Sequence, residues 1–356
     1  MIMYSTVEQL RSYRDSPYIS QSFLKSVLAN NTKPIKETVP MIIGTYLDAL
    51  LSIPQEADTL FQVGLAKRPS DNIKTFIDNV LGLLLEEQSE ESTAIHDINN
   101  YREELIAEAR NINYQPKWGD DAVWNSIKKD GEEYWNEVIL SQGKKIITQD
   151  EHLLCINIAA LTLSSSITGG YFSEHKGVDK LFQLPVYWMM EDVLCKGLVD
   201  LLVIEPEIKT IHLIDIKSTS VFNIQDWFTV ARQKNYPLQL SFYKEGIKIM
   251  YRNLIDNGYK IECKWIVLPT NTNKFTPWVI PCTDTMLTAG EYGYSKLNHY
   301  KINEHLSTGY KKYSGWREGL EKYKKIKEEE LVDFDLKHYL CNGRMEEKSA
   351  DELFFL

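Results

Sequence analysis

Two aspartates and a lysine are the residues of this sequence whose types and spacing best suit chemistry. Asp200 lies in a segment rich in β-branched residues, 198–205, and Asp215 and Lys217 lie at the end of a second such segment, 210–217. Short runs of this composition, bounded by turn residues, are typical of strands. Two carboxylates and an ammonium brought together on a strand pair could hold a divalent cation and activate a water molecule.

The pairing of the two segments decides whether these side chains meet. If residues 206–209 form the turn, Glu205 lies opposite Thr210, and counting back along both strands places Asp200 opposite Asp215. Directly opposed Cβ atoms are about 4.5–5.5 Å apart, where like charges repel each other. A cation bound by both carboxylates is the simplest compensation. A slip of one residue in the register would separate the two groups.

Lys217 is expected on the same face as Asp215, because side chains alternate along a strand. Apolar residues on both faces of the hairpin indicate a central pair of strands, where charged groups are costly unless paired or bound to metal. An isolated Asp-x-Lys triplet more often marks the exposed end of a strand. The register with Asp200 favours a functional site over that simpler interpretation.

Two helical segments carry further candidates. Gln239 and Tyr243 are four residues apart and share one face of a predicted helix, although such pairs are more often structural. Asp48 is the only charge in a predicted helix at residues 40–54, which prolines bracket. Gly44 lies one turn earlier on the same face and would allow a close approach to a neighbouring element. A buried functional carboxylate and an exposed or capping aspartate are equally good interpretations of Asp48.

Taken in order, these segments resemble the PD-(D/E)XK nuclease superfamily and, within it, the RecE-like branch of phage-type exonucleases. The resemblance covers about residues 39–280 and is specific as an ordered set, whereas each piece alone is not. The matching segments are Gly44-Thr-Tyr-Leu-Asp48, Lys196-Gly-Leu-Val-Asp200, Asp215-Ile-Lys217 and Gln239-Leu-Ser-Phe-Tyr243.

The resemblance implies an α/β fold with a restriction-endonuclease-like core, in which helices flank a central mixed β-sheet, and with helical additions at both ends. Residues 1–140 would form a mainly helical N-terminal region that contributes the Asp48 helix. Residues 141–284 would form the nuclease core, and residues 285–356 a helical C-terminal region and tail. The implied activity is hydrolysis of DNA phosphodiesters by an exonuclease in phage-type recombination or repair.

The implied site contains one or two Mg²⁺ or Mn²⁺ ions, at which water attacks the phosphodiester. The metal ligands would be Asp48, Asp200, Asp215 and the backbone carbonyl of Ile216. Lys217 would orient or deprotonate the attacking water, or neutralise charge on the scissile phosphate. Gln239 and Tyr243 would position Lys217 and the substrate backbone.

Two positions depart from the pattern of the family. Asp48 stands where relatives have a histidine, which keeps a hard oxygen ligand but bears on metal preference. Gln183 stands where relatives often have a glutamate, and the nearby Glu191 is no obvious substitute. Some relatives hold an iron-sulfur cluster through one early and three late cysteines. Only Cys341 lies near the C-terminus here, so no cluster is expected.

Substrate and partners follow from the same resemblance. Duplex DNA ends would be the substrate, with Lys196, Arg232 and Lys234 as candidate phosphate contacts, although each is more often a plain surface charge. A single-strand annealing protein is a candidate partner, and processive digestion would imply a homo-oligomeric ring. Residues 349–356 resemble peptides that bind a sliding clamp. A tail that folds back on its own core is favoured over clamp binding by about two to one.

Composition sets broader limits. The chain has 356 residues and a net charge of -10, which argues against indiscriminate coating of nucleic acid but not against a nuclease with a local basic channel. The five cysteines are widely spaced and indicate neither disulfides nor zinc. No phosphate-binding loop of the G-x-x-x-x-G-K-[ST] type occurs, so no nucleotide is expected. No membrane span or secretion signal is predicted, which favours the cytoplasm.

Two other classes of function remain open at this point. The fold could be retained in a catalytically silent DNA-binding or structural protein, an interpretation that the substitutions at Asp48 and Gln183 support. It could also belong to a nicking or site-specific endonuclease acting in defence or counter-defence. The retained Asp200, Asp215 and Lys217 favour an active enzyme over the silent protein.

Overall fold

The computed structural model describes residues 1–30, 37–87, 97–270, 275–302 and 305–328. The chain divides into two compact units, one formed by Met1–Pro54 with Ile158–Leu356 and the other by Gln55–Asn157. These boundaries differ from the ones expected at residues 140 and 284. The predicted clamp-binding peptide, residues 349–356, and Cys341 lie outside the described residues.

Strands form one large sheet and two small ones within the described ranges. They are β1 (Ile2–Tyr4), β2 (Phe61–Leu65), β3 (Lys145–Thr148), β4 (Asp179–Met190), β5 (Val193–Glu205), β6 (Thr210–Thr219), β7 (Lys260–Pro269), β8 (Trp278–Cys282), β9 (Tyr294–Ile302) and β10 (His305–Tyr313). The large sheet has the order β1-β4-β5-β6-β7-β8. Its β1–β4 and β6–β7 pairs are parallel and the others antiparallel, which confirms the predicted central mixed sheet.

Helices occupy most of the remaining described chain. They are α1 (Val7–Asp15), α2 (Gln21–Ala29), α3 (Val39–Ser52), α4 (Ala57–Leu60), α5 (Asp71–Glu87), α6 (Arg102–Asn111), α7 (Asp120–Ser141), α8 (Gln149–Ser164), α9 (Gly169–Phe172), α10 (Ile224–Gln233), α11 (Tyr236–Met250), α12 (Arg252–Asp256), α13 (Asp284–Tyr292) and α14 (Trp316–Glu328). Several begin at side-chain caps. Ser20 accepts the amide of Phe23 at the start of α2, and Asn223 accepts that of Asp226 at the start of α10.

The hairpin β5–β6 has the predicted register. Its turn contains a short 3₁₀ segment, Pro206–Ile208, followed by Lys209 at a φ of +48°. Glu205 pairs with Thr210, and the regular pairs continue inward as far as Leu201 with Ile214. The alternation of apolar residues on a two-sided strand fixes this register, because a slip would exchange the two faces of the sheet.

Helix α11 lies against strands β4 to β7 at two close contacts that require glycine. A Cβ on Gly197 of β5 would lie 2.8 Å from the ring of Tyr243, and one on Gly246 of α11 would lie 2.6 Å from the ring of Trp188. The core of this unit includes Trp188, Tyr243 and the fully buried Trp265. Small residues on the strand and the helix therefore let two large aromatic side chains fill the space between them.

The unit Gln55–Asn157 has its own core. Its parallel pair β2–β3 and the helices α5, α6 and α7 enclose apolar residues such as Phe76 and Trp135, both of which are fully buried. The guanidinium of Arg68 donates two hydrogen bonds of 2.8 Å to the carboxylate of Glu151 and a third, of 2.6 Å, to the carbonyl of Ile146. This bidentate pair connects the segment after β2 to β3 and the start of α8.

Part of the C-terminal region differs from the expected helix. The sequence predicts helix from residue 285 to 330, but β9 and β10 form an antiparallel hairpin within that range. Helix α13 is followed by Gly293 at a φ of +82°, and the rings of Tyr294 and Tyr313 then stack 4.7 Å apart. The helical prediction is wrong here because the many charges favour a solvated helix, whereas the aromatic pair depends on residues distant in sequence.

The described residues contain no helix with the length and apolar character needed to cross a lipid bilayer.

Gly246→Ala should lower the free energy of unfolding by about 1–3 kcal/mol, because overpacking against Trp188 outweighs the better helix propensity of alanine. Gly170→Ala is the control, since the nearest atom to its new Cβ, Nε2 of His175, lies at 4.0 Å. Urea unfolding followed by tryptophan fluorescence measures both changes. Equal stability of the two variants would contradict the close contact of α11 with the sheet.

Candidate active site

Asp215 lies at the centre of the site. Its side chain is almost fully buried on β6, and Oδ1 accepts hydrogen bonds from Lys217 Nζ at 2.5 Å and from Gln239 Nε2 at 2.9 Å. Its other oxygen, Oδ2, is buried and has no hydrogen-bond partner among the described residues. A buried carboxylate oxygen normally has a partner, because leaving it without one is costly. The structure thus brings together three of the predicted side chains and leaves one strong acceptor unsatisfied.

Strand pairing is interrupted where Asp200 was expected to face Asp215. The pairs of β4 with β5 run from Phe182–Leu201 to Leu184–Val199 and pass over Gln183 and Asp200. Gln183 has a φ of +49°, a conformation that non-glycine residues rarely adopt.

The carboxylate of Asp200 instead turns toward the neighbouring strand. Its Oδ2 accepts the backbone amide of Ile216 at 2.7 Å. The predicted register therefore holds up to the pair before Asp200 and Asp215, where a side chain replaces a backbone partner. Such irregularities of strand pairing often re-aim side chains next to functional sites.

The interruption also shifts the faces of the sheet. Val199 and Leu202 both belong to the core that α11 covers, although residues three apart in a regular strand point to opposite faces. Leu181 and Leu184 show the same spacing on β4 and contact the same core. Asp200 and Gln183 lie between these pairs, so both strands change face where the site is formed.

Asp48 reaches this place from helix α3. A Cβ on Gly44 would lie 2.9 Å from Ser218 Oγ, so glycine allows the helix to lie close to β6. Gln183 Nε2 donates to Asp48 Oδ2 at 2.7 Å, and Ser52 Oγ donates to Asp48 Oδ1 at 3.1 Å. Of the two interpretations of Asp48, the half-buried functional carboxylate fits this arrangement. The unusual backbone of Gln183 directs its amide to this carboxylate.

The three carboxylates raise one another's pKa. Burial raises the pKa of Asp48 to about 6, and the negative charge of Asp215 adds to the effect, while Ser52 and Lys217 oppose it. Burial, together with Asp48 and Asp215, raises the pKa of Asp200 well above its ordinary value. Carboxylates with raised pKa values lack compensating positive charge, and such perturbation is frequent at functional sites.

These hard oxygen donors suit Mg²⁺ or Mn²⁺ in type. No group of three acidic, histidine or cysteine side chains within the described ranges is close enough to enclose an ion as arranged here. The free Oδ2 of Asp215 and the neighbouring carboxyls of Asp48 and Asp200 nevertheless provide the acceptors that a dication would need. The residues present therefore fit a metal in chemistry, and small side-chain rotations would have to complete its coordination.

Lys217 holds its proton in this setting. Burial alone would lower its pKa, but Asp215 and Asp200 outweigh burial and raise it above the ordinary value. Its ammonium also lies over the ring of Tyr236, 5.4 Å from the centroid. A protonated lysine can orient water and neutralise a phosphate, whereas it cannot accept a proton from water.

Tyr243 has a different neighbourhood from the one that the sequence predicts. Its ring is buried against Gly197, and the backbone amide of Leu198 hydrogen-bonds to its hydroxyl, while burial raises its pKa strongly. The structure thus places it beside β5, two residues before Asp200, and not in a hydrogen bond to Lys217. Its contact supports the strand that carries Asp200.

Lys196 is not available as a phosphate contact, contrary to prediction. It is only 9% exposed, and its ammonium donates to the carbonyls of Tyr13, Arg14 and Ser16 at 2.8, 3.2 and 2.6 Å. These carbonyls lie at the end of α1, where a helix leaves acceptors unsatisfied. The physical reason for the correction is that a cation buried on carbonyls stabilises the fold and does not reach a ligand.

The other two predicted contacts lie near the surface. Lys234 is exposed, and Arg232 is half-buried with a hydrogen bond of 2.9 Å to Thr229 Oγ1. Both stay candidates for phosphate binding.

Lys25 is a residue that sequence reasoning missed. It lies on α2, is half-buried, and donates to the carbonyl of Lys234 at 2.9 Å. Burial and the nearby charge of Lys217 lower its pKa to about 8, although Asp215 partly opposes this shift. Its signal in the sequence is the one that marked Asp48, a single charge within an otherwise uncharged helix.

No protein-family model matches the sequence, and no curated protein matches it. A solved structure from Eubacterium rectale, provisionally named an exonuclease, is similar over 80% of this chain and 80% of its own length. The two have a TM-score of 0.35 and 14% sequence identity, a likeness too weak to carry an argument about function. The functional conclusion therefore depends on the chemistry of the site.

Asp48→Asn should stabilise the metal-free protein at neutral pH by about 1–3 kcal/mol. The carboxyl of Asp48 has its pKa raised from 3.8 to about 6, so its contribution to stability is complete below the lower value. That contribution is lost as the pH rises through the higher value. Asparagine does not titrate, so the advantage of the variant should grow over this interval and then stay constant.

Urea unfolding in the presence of a chelator, at a series of pH values, measures this difference. Asp256→Asn is the control, because the side chain of Asp256 is 69% exposed. A difference between the Asp48 variant and the wild type that did not change with pH would show that this carboxyl is not strained by its surroundings.

Proposed function

We propose that the protein is a metal-dependent DNA nuclease, and specifically a RecE-like exonuclease that hydrolyses phosphodiesters during phage-type recombination or repair. The observation that carries the proposal is Asp215, whose Oδ1 is held by Lys217 and Gln239 while its buried Oδ2 has no partner in the described chain. Asp200 and Asp48 lie close enough to raise the cost of negative charge around it. The resemblance in motif order supports the same conclusion.

A divalent cation would be held by Asp48, Asp200, Asp215 and the backbone carbonyl of Ile216. When bound, Mg²⁺ or Mn²⁺ would lower the pKa of water and stabilise charge on the phosphate. The hydrogen bond from Ile216 to Asp200 and the one from Gln183 to Asp48 fix the orientation of two of these carboxylates. Supporting contacts of this kind set ligand geometry.

The protein's own residues would act on the water and the phosphate. Lys217 remains protonated, so it would orient the attacking water and neutralise charge that develops on the phosphate. Gln239 holds Asp215 from the opposite side. Lys25, Lys234 and Arg232 would bind neighbouring phosphates, and this basic group offsets locally the net charge of the whole chain.

Gln183 favours a second candidate, a catalytically silent nuclease fold that binds DNA. Its amide satisfies Asp48 with a neutral donor at 2.7 Å, where a glutamate would add a further acidic ligand. A silent protein would bind DNA and leave it intact with either Mg²⁺ or Mn²⁺.

An endonuclease of defence or counter-defence is separated from an exonuclease by the substrate. A covalently closed circular duplex has no ends, so an exonuclease should leave it intact while digesting the same duplex after linearisation. Cleavage of the closed circle would assign the protein to the endonucleases.

Asp215→Asn and Lys217→Ala should each slow magnesium-dependent digestion of linear duplex DNA by about 100-fold or more, since each removes charge used in the transition state. Release of acid-soluble nucleotides measures the rate. Lys260→Ala is the control, because Lys260 is exposed and starts β7 at the opposite end of the paired strands. Full activity in either site variant would overturn the assignment of the site.

Lys25→Gln should weaken binding of duplex DNA by about 10-fold at moderate salt and reduce the slope of log affinity against log salt by about 1. Because the pKa of Lys25 is lowered to about 8, binding by the parent protein should also weaken as the pH rises through that value. The variant lacks the titrating ammonium and should not show this step.

Fluorescence anisotropy with labelled DNA, in an Asp215→Asn background that prevents digestion, measures both effects. Lys248→Gln is the control for loss of an exposed lysine elsewhere on the chain. An unchanged salt slope in the Lys25 variant would exclude contact with a phosphate.

A further inference from the structure

Helix α8 is apolar on both of its sides. One side is buried and consists of Cys155, Ile158, Ala159 and Thr162. The other side is exposed, and we call it the α8 surface: Leu153, Leu154, Ile156, Ala160, Leu161 and Leu163. Its five large side chains are between 36% and 57% exposed. A helix that is apolar all round is expected to be covered all round.

The segment around the α8 surface also lacks charge. Residues 152 to 173 contain no aspartate, glutamate, lysine or arginine, although charged residues make up 25% of the chain. Solvated helices normally carry charges on their outer side, whereas the centres of protein interfaces are depleted in them. A continuous apolar patch of this kind marks an interaction surface more often than an ordinary solvated one.

We propose that the α8 surface binds the same surface of a second copy of this chain, so that two α8 helices pack antiparallel across a two-fold axis. This inference is independent of the proposed nuclease activity. An isologous pair needs a patch that complements itself, and an apolar surface without charge meets that condition without bringing like charges together. A basic or acidic partner would find no opposite charge here.

Two features favour the antiparallel arrangement. Asp150 and Glu151 lie in the first turn of α8, and antiparallel packing keeps these acidic turns at opposite ends of the pair. It also sets the helix dipoles in opposition, which a parallel pair would not do. Asn157, an exposed polar residue at the middle of the α8 surface, would then lie near the axis.

Asn157 would also fix the register of the pair. An amide both donates and accepts, so two copies that meet at the axis can satisfy each other. A single buried asparagine within an apolar helix seam is a known device for specifying register. The 16 residues of α8 span about 24 Å, long enough for the apolar centre of an interface that buries about 800 Å² on each copy.

The first test compares oligomeric state in matched double variants of the full chain. The wild type should sediment with twice its mass of 41.3 kDa at micromolar concentration. Ile156→Lys with Leu161→Lys should weaken the dimer dissociation constant at least about 100-fold, because unpaired ammonium groups would be buried against apolar side chains. Leu83→Lys with Leu140→Lys is the control, since both leucines are 65% exposed on other helices.

The second test does not depend on the lysine variants being folded. Asn157→Cys should form covalent dimers rapidly with a short bismaleimide, because the two copies of this position meet near the axis. Gln149→Cys should not, since in an antiparallel pair it lies about 24 Å along the helix from its counterpart. Crosslinking at both positions would show parallel helices and overturn the proposed arrangement.

Three results of the sedimentation test would overturn the proposal. They are a wild-type monomer at every concentration, an assembly of three or more copies, and a dimer that the lysine pair on α8 leaves intact. A monomer that dimerises only after deletion of residues 329–356 would count with the first of these, since the α8 surface would then be covered by its own chain.

Discussion

The site depends on one exchange of hydrogen-bond partners, in which the carboxylate of Asp200 takes the backbone amide of Ile216. A strand that ends its regular pairing must satisfy its free amides in another way, because buried backbone groups without partners are costly. Here a side chain satisfies the amide, and β4 and β5 change face at the same level. The bend gives Gln183 its positive φ and directs its amide to Asp48 on α3. One local irregularity thus connects the sheet, the helix and the carboxyl groups.

Positive and negative charges are distributed unevenly around Asp215, and this explains the opposite shifts of two lysines. Lys217 is in direct contact with the carboxylate and has its pKa raised, whereas Lys25 feels mainly burial and the charge of Lys217 and has its pKa lowered. One lysine is therefore committed to the carboxylate, and the other carries a charge that an anion would stabilise. A site with surplus acid at its centre and surplus base at its margin is suited to a metal and a phosphate together.

Much of the fold follows from the sequence, because apolar alternation and turn residues are local signals. The register of β5 with β6, the glycine-assisted approach of α3 and the grouping of Asp215, Lys217 and Gln239 were all predictable in this way. The face change was not, since Gln183 shows no preference for positive φ that a sequence reader could use. The burial of Lys196 could not be foreseen either, because its carbonyl partners lie on a helix far away in the chain. Long-range contacts also explain the missed hairpin of β9 and β10.

The pairing of β1 has a consequence for how the chain is made. This strand joins the large sheet only through β4, where Ile2 lies beside Lys180. During synthesis its backbone must therefore wait until the ribosome has delivered the first half of the polypeptide. Native contacts this distant in sequence form late, and a strand that waits for its neighbour is open to chaperones and proteases meanwhile. The order of translation thus makes the edge of the sheet one of the last parts of this unit to close.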